Sequence, residues 1–237
     1  MYCLENSVKN KTSVILPTRN EEQIIAETVT SIIHFLNKKS YCYEVIVVLN
    51  GSTDHTESIV DALRMRNKEI LKVVTSDPGY GHALRKGLEI AEGDYIVIYN
   101  VDFYDLELIN LIDIQMCGKD LIIGSKRTYW SNDKRPLTRK IISTLFTSFL
   151  KIMYDFRGSD THGIKLLKRK VITEVYPKCI TSSGIFDTEF VIRTQWSGFK
   201  IADFPVDIVE RRPSRFPARL TQTPEDIYEL YKALKKH

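Results

Sequence analysis

The strongest constraint on the fold of this chain is a regular alternation of short apolar runs and amphipathic segments in its first half. Four runs rich in valine, isoleucine and tyrosine predict strands, and they begin at Thr12, Tyr43, Glu69 and Asp94. Between them lie three segments whose apolar residues recur at helical spacing. Strand–helix alternation at this spacing predicts an α/β fold, with a mostly parallel sheet flanked by helices on both faces.

Polar clusters follow three of the predicted strands directly. They read PTRN at 17–20, LNGSTD at 49–54 and NVD at 100–102. Ligands of parallel sheets bind beyond the carboxyl ends of the strands, so these clusters should converge on one edge. A further segment, DPGYG at 77–81, leads into a predicted helix, and its glycines permit a phosphate to approach main-chain N–H groups closely.

The pattern changes from about residue 120. A predicted strand at 120–127 runs into a basic stretch, and a long helix with a broad apolar face is predicted over 136–156. The segments at 159–169, 184–200 and 201–215 predict a loop with a strand, a helix, and a strand. Thr223 and Pro224 are typical of the N-cap and the first position of a closing helix.

Composition excludes several other classes of protein. The chain is 43% hydrophobic and 27% charged, an ordinary globular balance. Its 4 cysteines form no CxxC pair, which argues against a zinc ribbon or a disulfide scaffold. No run reaches the roughly 18–20 apolar residues of a spanning helix, and no signal-peptide stretch opens the chain. We therefore expect a cytoplasmic protein, soluble or peripheral at the cytoplasmic face of a membrane.

Several segments, in this order and at these spacings, resemble the family 2 glycosyltransferases, most closely the dolichyl- and polyprenyl-phosphate mannose synthases. The first four are VILPTRNEE (14–22), VVLNGSTDHT (47–56), DPGYGHALRKGLEIAEGDY (77–95) and IYNVDFYD (98–105). SDTHGIKLLKR (159–169), GIFDTEF (184–190) and ERRPSRF (210–216) extend the resemblance over nearly the whole chain. It implies one GT-A domain over 1–237, with a nucleotide-sugar half at about 1–120 and an acceptor half at about 121–237.

The resemblance also implies a nucleotide-sugar site at the strand ends. The residues that match its binding positions are Pro17, Thr18, Asn20, Glu21, Asn50, Gly81, Arg85 and Asn100. Arg19 stands where the family often has an aromatic residue, and Leu49 replaces the first acid of the commoner second motif. These departures leave the base of the donor, guanine or uracil, open.

The segment at 98–105 aligns with the DxD motif, which holds a divalent metal against the donor diphosphate. A hard cation prefers oxygen ligands and neutralises the charge that builds on the departing diphosphate. Here Asn100 replaces the first acid, and its amide oxygen can coordinate but brings no charge. We expect Asp102 to be the principal ligand of Mg²⁺ or Mn²⁺, with Asn100 and Asp105 as the other candidates.

The second half supplies the candidates for catalysis and acceptor binding. Asp187 and Glu189 stand at a predicted helix start, where they could bind sugar hydroxyls or act as a general base, and Lys165 or Arg169 could reach a phosphate. The residues expected to bind an acceptor phosphate are Arg127, Arg211, Ser214 and Arg215. The predicted catalytic residues are Asp102, Asp187, Glu189 and Arg169.

The choice of acceptor depends on how the nucleophile is activated. A sugar hydroxyl needs a general base, whereas a phosphate monoester, with a second pKa of about 6, is already mostly dianionic at neutral pH. The basic stretches and the apolar-faced helix near 135–154, typical of an interfacial helix or of a packed lid, favour a polyprenyl or dolichyl phosphate.

The expected reaction is therefore inverting transfer of a hexose from a GDP- or UDP-sugar to that lipid phosphate. We also expect peripheral contact with a membrane, and we expect no nucleic acid partner. Transfer to a soluble hydroxyl acceptor, nucleotidyl transfer and non-catalytic binding of a sugar nucleotide stay open as alternatives.

Overall fold

The structure, a computed structural model, describes residues 10–75, 78–125, 137–206 and 224–235, apart from the side chains of 137–139. Seven strands form one sheet within these residues: β1 (Lys11–Thr18), β2 (Cys42–Leu49), β3 (Ile70–Val74), β4 (Tyr95–Ile98), β5 (Leu121–Ser125), β6 (Lys165–Lys168) and β7 (Ile201–Pro205). Their order across the sheet is β3-β2-β1-β4-β6-β5-β7.

The sheet is mostly parallel, as the sequence predicts. β1 pairs in parallel with β2 and β4, β2 with β3, and β5 with β7. β6 is the exception, because it lies between β4 and β5 and runs antiparallel to both. Its first residue, Lys165, therefore pairs with Ile98 at the carboxyl end of β4. This reversal, which the sequence did not predict, brings the start of a second-half strand to the carboxyl edge of the first-half strands.

Helices cover both faces of the sheet. They are α1 (Ile25–Lys38), α2 (Thr56–Arg66), α3 (Tyr80–Ile90), α4 (Glu107–Asn110), α5 (Leu137–Tyr154), α6 (Arg169–Val175), α7 (Phe186–Trp196) and α8 (Pro224–Leu234). Val14 and Leu16 pack into the core that α1 and α2 cover, whereas Ile15 between them packs into the core of α3 and α5 to α8. A strand buried on both faces reads as a continuous apolar run, which is why β1 shows no alternation.

The predicted elements of both halves are present, and α4 and α6 are additions that the sequence analysis did not anticipate. The N-cap predicted at Thr223 lies outside the described residues. None of the helices in the described part of the chain is long and apolar enough to cross a membrane.

Candidate functional site

Six strands end at one edge of the sheet, and β6 begins there. The residues at this edge are Thr18, Leu49, Val74, Ile98, Ser125 and Pro205, together with Lys165 at the start of β6. The clusters PTRN, LNGSTD and NVD follow β1, β2 and β4, so they converge on this edge as predicted. The edge is the place where a ligand of such a sheet binds.

The loops after β1 and β2 are fastened to each other by hydrogen bonds. Asn20, which adopts a positive φ of 53°, accepts a bond from the Thr53 N–H at its Oδ1 (2.8 Å) and donates its own N–H to Ser52 Oγ (3.1 Å). The Glu21 N–H donates to Thr56 Oγ1 (2.8 Å). The Asn20 amide therefore joins the two loops, a role that its sequence position did not predict.

Asp54 fixes the start of α2 in the same loop. It accepts bonds from the Thr56 N–H (3.1 Å) and hydroxyl (2.5 Å), and from the Glu22 N–H (3.2 Å). Desolvation opposes the charged form, but these hydrogen bonds outweigh it and hold the pKa of Asp54 below its ordinary value. The carboxylate is thus a structural part of the second loop.

The remaining candidates of the first two loops are buried beneath the edge. Pro17 and Thr18 are buried at the end of β1, where the Thr18 hydroxyl donates to the Leu16 carbonyl (2.9 Å). Glu21 is buried, and so is Asn50, whose Oδ1 accepts the Gly79 N–H at 3.4 Å. Asn50 therefore links the end of β2 to the segment that leads into α3.

The first turns of α3 contact the second half of the chain. A Cβ added to Gly81 would lie only 1.9 Å from the Ser183 carbonyl oxygen, so only glycine allows this approach. Arg85 donates to the carbonyls of Cys179 and Thr181 (both 3.0 Å), and its guanidinium lies 4.9 Å from the centre of the Tyr176 ring. The structure places Arg85 as a tie between the two halves, whereas the sequence predicted a contact with the donor.

The NVD cluster forms a tight turn after β4. Main-chain bonds of 3.1 Å join Asn100 and Phe103 in both directions, and Asp102 lies half-buried between them. Asp105 is farther along, and its Oδ1 accepts the Glu107 N–H (3.0 Å) at the start of α4. Asp102 is the carboxylate of the turn itself, while Asp105 is engaged in starting α4.

The oxygen atoms of this turn suit a divalent cation that takes only some of its ligands from the protein and the others from a substrate. No group of three or more His, Cys, Asp or Glu side chains in the described ranges is arranged to hold a metal. One carboxylate and one amide oxygen suit a Mg²⁺-like ion, which takes one or two protein carboxylates and completes its shell with phosphate oxygens and water. Asp102 and Asn100 are the residues that would hold it.

Asp187 lies at the same edge, buried where α3, β6 and α7 meet. Its carboxylate is buried, with Oδ1 2.9 Å from Nζ of the equally buried Lys165, an ion pair that does not have hydrogen-bond geometry. The Tyr80 hydroxyl, at the start of α3, donates to Oδ2 (3.2 Å), and Lys165 donates to the Gly163 carbonyl (2.9 Å). The pair therefore joins α3, β6 and α7 directly beside the site.

Glu189 is two residues farther along α7 and is fully buried. It accepts bonds from the Ile180 N–H, from the Thr181 N–H and hydroxyl, and from Arg193 Nε (2.7 Å). With its oxygens engaged in this way, the carboxylate anchors the 179–181 segment to α7. The predicted contact of Glu189 with substrate is not supported, because reaching a ligand would break these bonds.

Arg169 is at the opposite edge of the sheet. Its Nε and Nη2 donate to the carbonyls of Gly93 and Ala91 (2.6 Å each), just before β4 begins. The expectation that Arg169 takes part in catalysis is therefore corrected: the guanidinium holds the loop at the amino end of β4. Arg127, Arg211, Ser214 and Arg215 lie outside the described residues.

Sequence reasoning missed Tyr80 as part of this site and gave Lys165 a different partner, a phosphate. The signal for Lys165 is its place within GIKLL (163–167), where a lysine among apolar residues needs a buried acid. No local signal identifies Tyr80, whose partner Asp187 is 107 residues away.

The fold and the site define a mostly parallel α/β domain with a ligand edge suited to a metal-bound diphosphate. Residues 13–175, more than half of the chain, match Glycosyl transferase family 2, and the chain belongs to this family. The sheet flanked by helices is the GT-A arrangement predicted from the sequence.

Two curated relatives and one crystal structure illustrate the similarity. Glycosyltransferase AglD of Haloferax volcanii is 30% identical over 206 residues, 82% of this chain and 32% of that protein. The prophage bactoprenol glucosyl transferase homolog of Escherichia coli K12 is 32% identical over 168 residues, 70% of this chain and 54% of that protein. The chain thus spans about a third to a half of these relatives.

The structural match is glucosyl-3-phosphoglycerate synthase from Mycobacterium tuberculosis, crystallised with Mn²⁺, UDP-glucose and phosphoglyceric acid. Its TM-score is 0.70 at 18% identity, over 95% of this chain and 80% of that one. At this identity the likeness establishes the fold.

Proposed function

We propose that this chain is an inverting glycosyltransferase that moves a hexose from a nucleotide diphosphate sugar to a polyprenyl or dolichyl phosphate. Membership in family 2 supports the reaction class. The similarity to a bactoprenol glucosyl transferase homolog supports a lipid acceptor. The donor is a UDP- or GDP-sugar, and a structural neighbour that holds UDP-glucose favours uridine.

The observation that carries the choice of acceptor is the state of the two acids on α7. A hydroxyl acceptor needs a general base within reach of its proton. Glu189 is bound by four hydrogen-bond donors, and Asp187 is buried and paired with Lys165, so neither carboxylate is exposed to a substrate. A phosphate acceptor brings its own negative charge and needs no base. This arrangement therefore favours a phosphate as the nucleophile.

The donor occupies the strand-end edge, with its base and ribose against Pro17, Thr18, Glu21 and Asn50 and its diphosphate near Asn100 and Asp102. Asn20 and Gly81 support this pocket through their contacts with the neighbouring loops. Asp102 is the residue that would hold a Mg²⁺ or Mn²⁺ ion, and Asn100 would add an uncharged oxygen. The ion would supply positive charge against the departing diphosphate.

Arg127, Arg211, Ser214 and Arg215 are proposed to bind the acceptor phosphate. Ser125 and Pro205, where β5 and β7 end, lie at the site edge, and these residues follow them in the sequence. Arginine suits this task because its guanidinium can donate two hydrogen bonds to one phosphate. A polyprenyl acceptor stays in the bilayer, so the proposal includes peripheral contact with the cytoplasmic face of a membrane.

A transfer assay with two matched acceptors tests the proposal. The protein is incubated with labelled UDP-glucose or GDP-mannose, Mn²⁺ or Mg²⁺, and either a short polyprenyl phosphate or the corresponding free polyprenol. We expect the label to enter the organic phase only with the phosphate and only with metal. Equal transfer to the free alcohol would contradict a phosphate acceptor, and donor binding without transfer to any acceptor would favour the non-catalytic alternative.

A further inference from the structure

Helix α5 exposes an unusual amount of apolar surface for an 18-residue helix. Its exposed large apolar side chains are Ile141, Ile142, Leu145, Ile152 and Met153, and Ile152 and Leu145 have 83% and 66% of their surface accessible. The opposite side of the helix is buried, because Phe146, Leu150 and Tyr154 pack into the core. The exposed residues are therefore additional to the face that holds α5 on the domain.

The exposed residues form one continuous face. Successive helical residues are about 100° apart, which places Ile141, Leu145 and Ile152 within about 40° of one another. Ile142 and Met153 widen this arc to about 120°, the width of a core-facing stripe. We call these five residues the α5 apolar face.

Basic residues flank the α5 apolar face on one side. Lys140 and Lys151 are eleven residues apart, so they lie at nearly the same angle, on the flank away from Ile142 and Met153. The helix sequence contains no aspartate or glutamate, and Asp155 directly after it is paired with Arg157 (2.9 Å). An apolar arc with a one-sided cationic border matches an anionic lipid surface.

The position of α5 fits such a contact. Phe146 lies 6.4 Å, ring centre to ring centre, from His162, which precedes the start of β6 at the site edge. At the other end, Trp196 donates its indole N–H to the Tyr154 carbonyl (3.2 Å) and stays partly exposed. A tryptophan with one anchored polar atom and an accessible ring is typical of membrane interfaces.

We propose that the α5 apolar face is the surface by which this protein lies on an anionic lipid bilayer, with α5 parallel to the membrane plane. The inference rests on the proposed function and deepens it, because it names the element that brings the acceptor edge to the lipid. A second copy of the chain is the competing occupant of this face.

Flotation with vesicles tests the inference without any sugar nucleotide. We expect the protein to bind phosphatidylcholine vesicles that contain phosphatidylglycerol, and to bind them less as salt is raised. Ile141→Ser/Leu145→Ser should weaken binding by about tenfold because it removes two membrane-facing apolar side chains. Lys151→Ala should weaken it by about fivefold, and only for the anionic vesicles.

Met65→Ser is the matched control. Met65 is 88% exposed on α2, which covers the opposite face of the sheet, so the same kind of change there should leave vesicle binding unaltered. Light scattering after gel filtration measures the oligomeric state, and so tests whether a second copy of the chain covers the α5 apolar face. Wild-type protein that ignores anionic vesicles at low salt, or a dimer that Ile141→Ser/Leu145→Ser converts to a monomer without any vesicle binding, would overturn the inference.

The outcomes separate this inference from the proposed function. Transfer to a detergent-solubilised polyprenyl phosphate should survive Ile141→Ser/Leu145→Ser, because the variant leaves the site edge intact. Vesicle binding without any transfer would remove the proposed activity and keep the surface. Transfer in detergent without vesicle binding would keep the proposed activity and remove the membrane-binding surface.

Discussion

Asp187 and Glu189 stand two residues apart on α7, and the structure gives them different partners. Glu189 is bound by main-chain N–H groups and Arg193, while Asp187 depends on Lys165 for its charge and on Tyr80 for one hydrogen bond. A buried ion pair is costly to break by removing one partner, but often neutral to replace entirely by apolar residues. Replacing one partner of the Lys165–Asp187 pair, and then both, therefore separates the cost of an unpaired buried charge from the net contribution of the pair to stability.

Lys165→Met should lower the free energy of unfolding by about 3–5 kcal/mol, because it leaves the buried Asp187 carboxylate without its cation. The double variant Lys165→Met/Asp187→Leu should recover most of this loss. Urea denaturation monitored by circular dichroism measures both. A double variant as unstable as the single one would show that the pair is not an isolated unit.

Asp102 is the residue on which the metal dependence of the reaction should rest. Asp102→Ala should abolish transfer and remove the metal dependence of donor binding, while Asn100→Asp should keep or raise activity by adding a charge. Asp105→Ala is the control: it should cost about 1 kcal/mol of stability through the lost bond to Glu107, with metal dependence retained. Titration of UDP binding with and without Mn²⁺ measures this, and a wild-type-like Asp102→Ala would remove the metal assignment.

At the scale of elements, Glu44 of β2 ties β1 to the loop before β4. It is buried, and it accepts bonds from the Ser13 hydroxyl (2.5 Å) and the Glu92 N–H (2.7 Å) while pairing with Lys11 (2.8 Å). Desolvation raises its pKa, but the bonds from Lys11, Ser13 and Glu92 outweigh burial and leave the pKa below its ordinary value.

A carboxyl with a depressed pKa stabilises the fold above its unfolded-state pKa and loses that contribution as the pH falls through the folded-state value. Glu44→Gln should therefore cost roughly 1–3 kcal/mol at neutral pH, with the difference from wild type shrinking below a pH of about 4. Urea denaturation at several pH values measures the difference. A difference in unfolding free energy that stays constant down to pH 3 would show that the charge of Glu44 does not contribute to holding β1 to the loop before β4.

The strands and helices of the first half follow from the sequence because their signals are local: apolar runs, helical spacing and turn residues. The antiparallel insertion of β6 does not, since a four-residue strand can pair in either direction and only its neighbours decide. The same dependence on distant neighbours explains why the prediction for Arg169 was wrong. Its motif position suggested a phosphate, but its partners are the carbonyls of Ala91 and Gly93, 78 and 76 residues away.

The candidate site also divides into features that the sequence predicts and features that depend on distant contacts. Strand-end clusters could be assigned to one edge from topology alone, because parallel strands end together. Whether a side chain at that edge faces a ligand or joins two loops depends on contacts between distant segments. Asn20 and Arg85 are cases of the second kind: Asn20 bonds Thr53, and Arg85 bonds Cys179 and Thr181.

At the scale of the whole molecule, the two halves share one sheet and meet at one edge, where the proposed donor and acceptor sites adjoin. β6 and α7 from the second half stand beside β4 and α3 from the first, and the Lys165–Asp187–Tyr80 contacts join them. α5 packs on the same side of the sheet as α3 and α7, so the proposed lipid-facing surface belongs to the layer of helices that carries Tyr80 and Asp187 at the site edge.

NMR spectroscopy of the product shows whether a lipid phosphate is the nucleophile. The protein is incubated with metal, donor sugar nucleotide and a short polyprenyl phosphate, and the phosphorus and anomeric proton signals of the extracted lipid are recorded. We expect a phosphodiester signal to replace that of the phosphate monoester, with the anomeric configuration inverted relative to the donor. An unchanged monoester signal in a sample where the sugar has moved to a hydroxyl group would contradict this expectation.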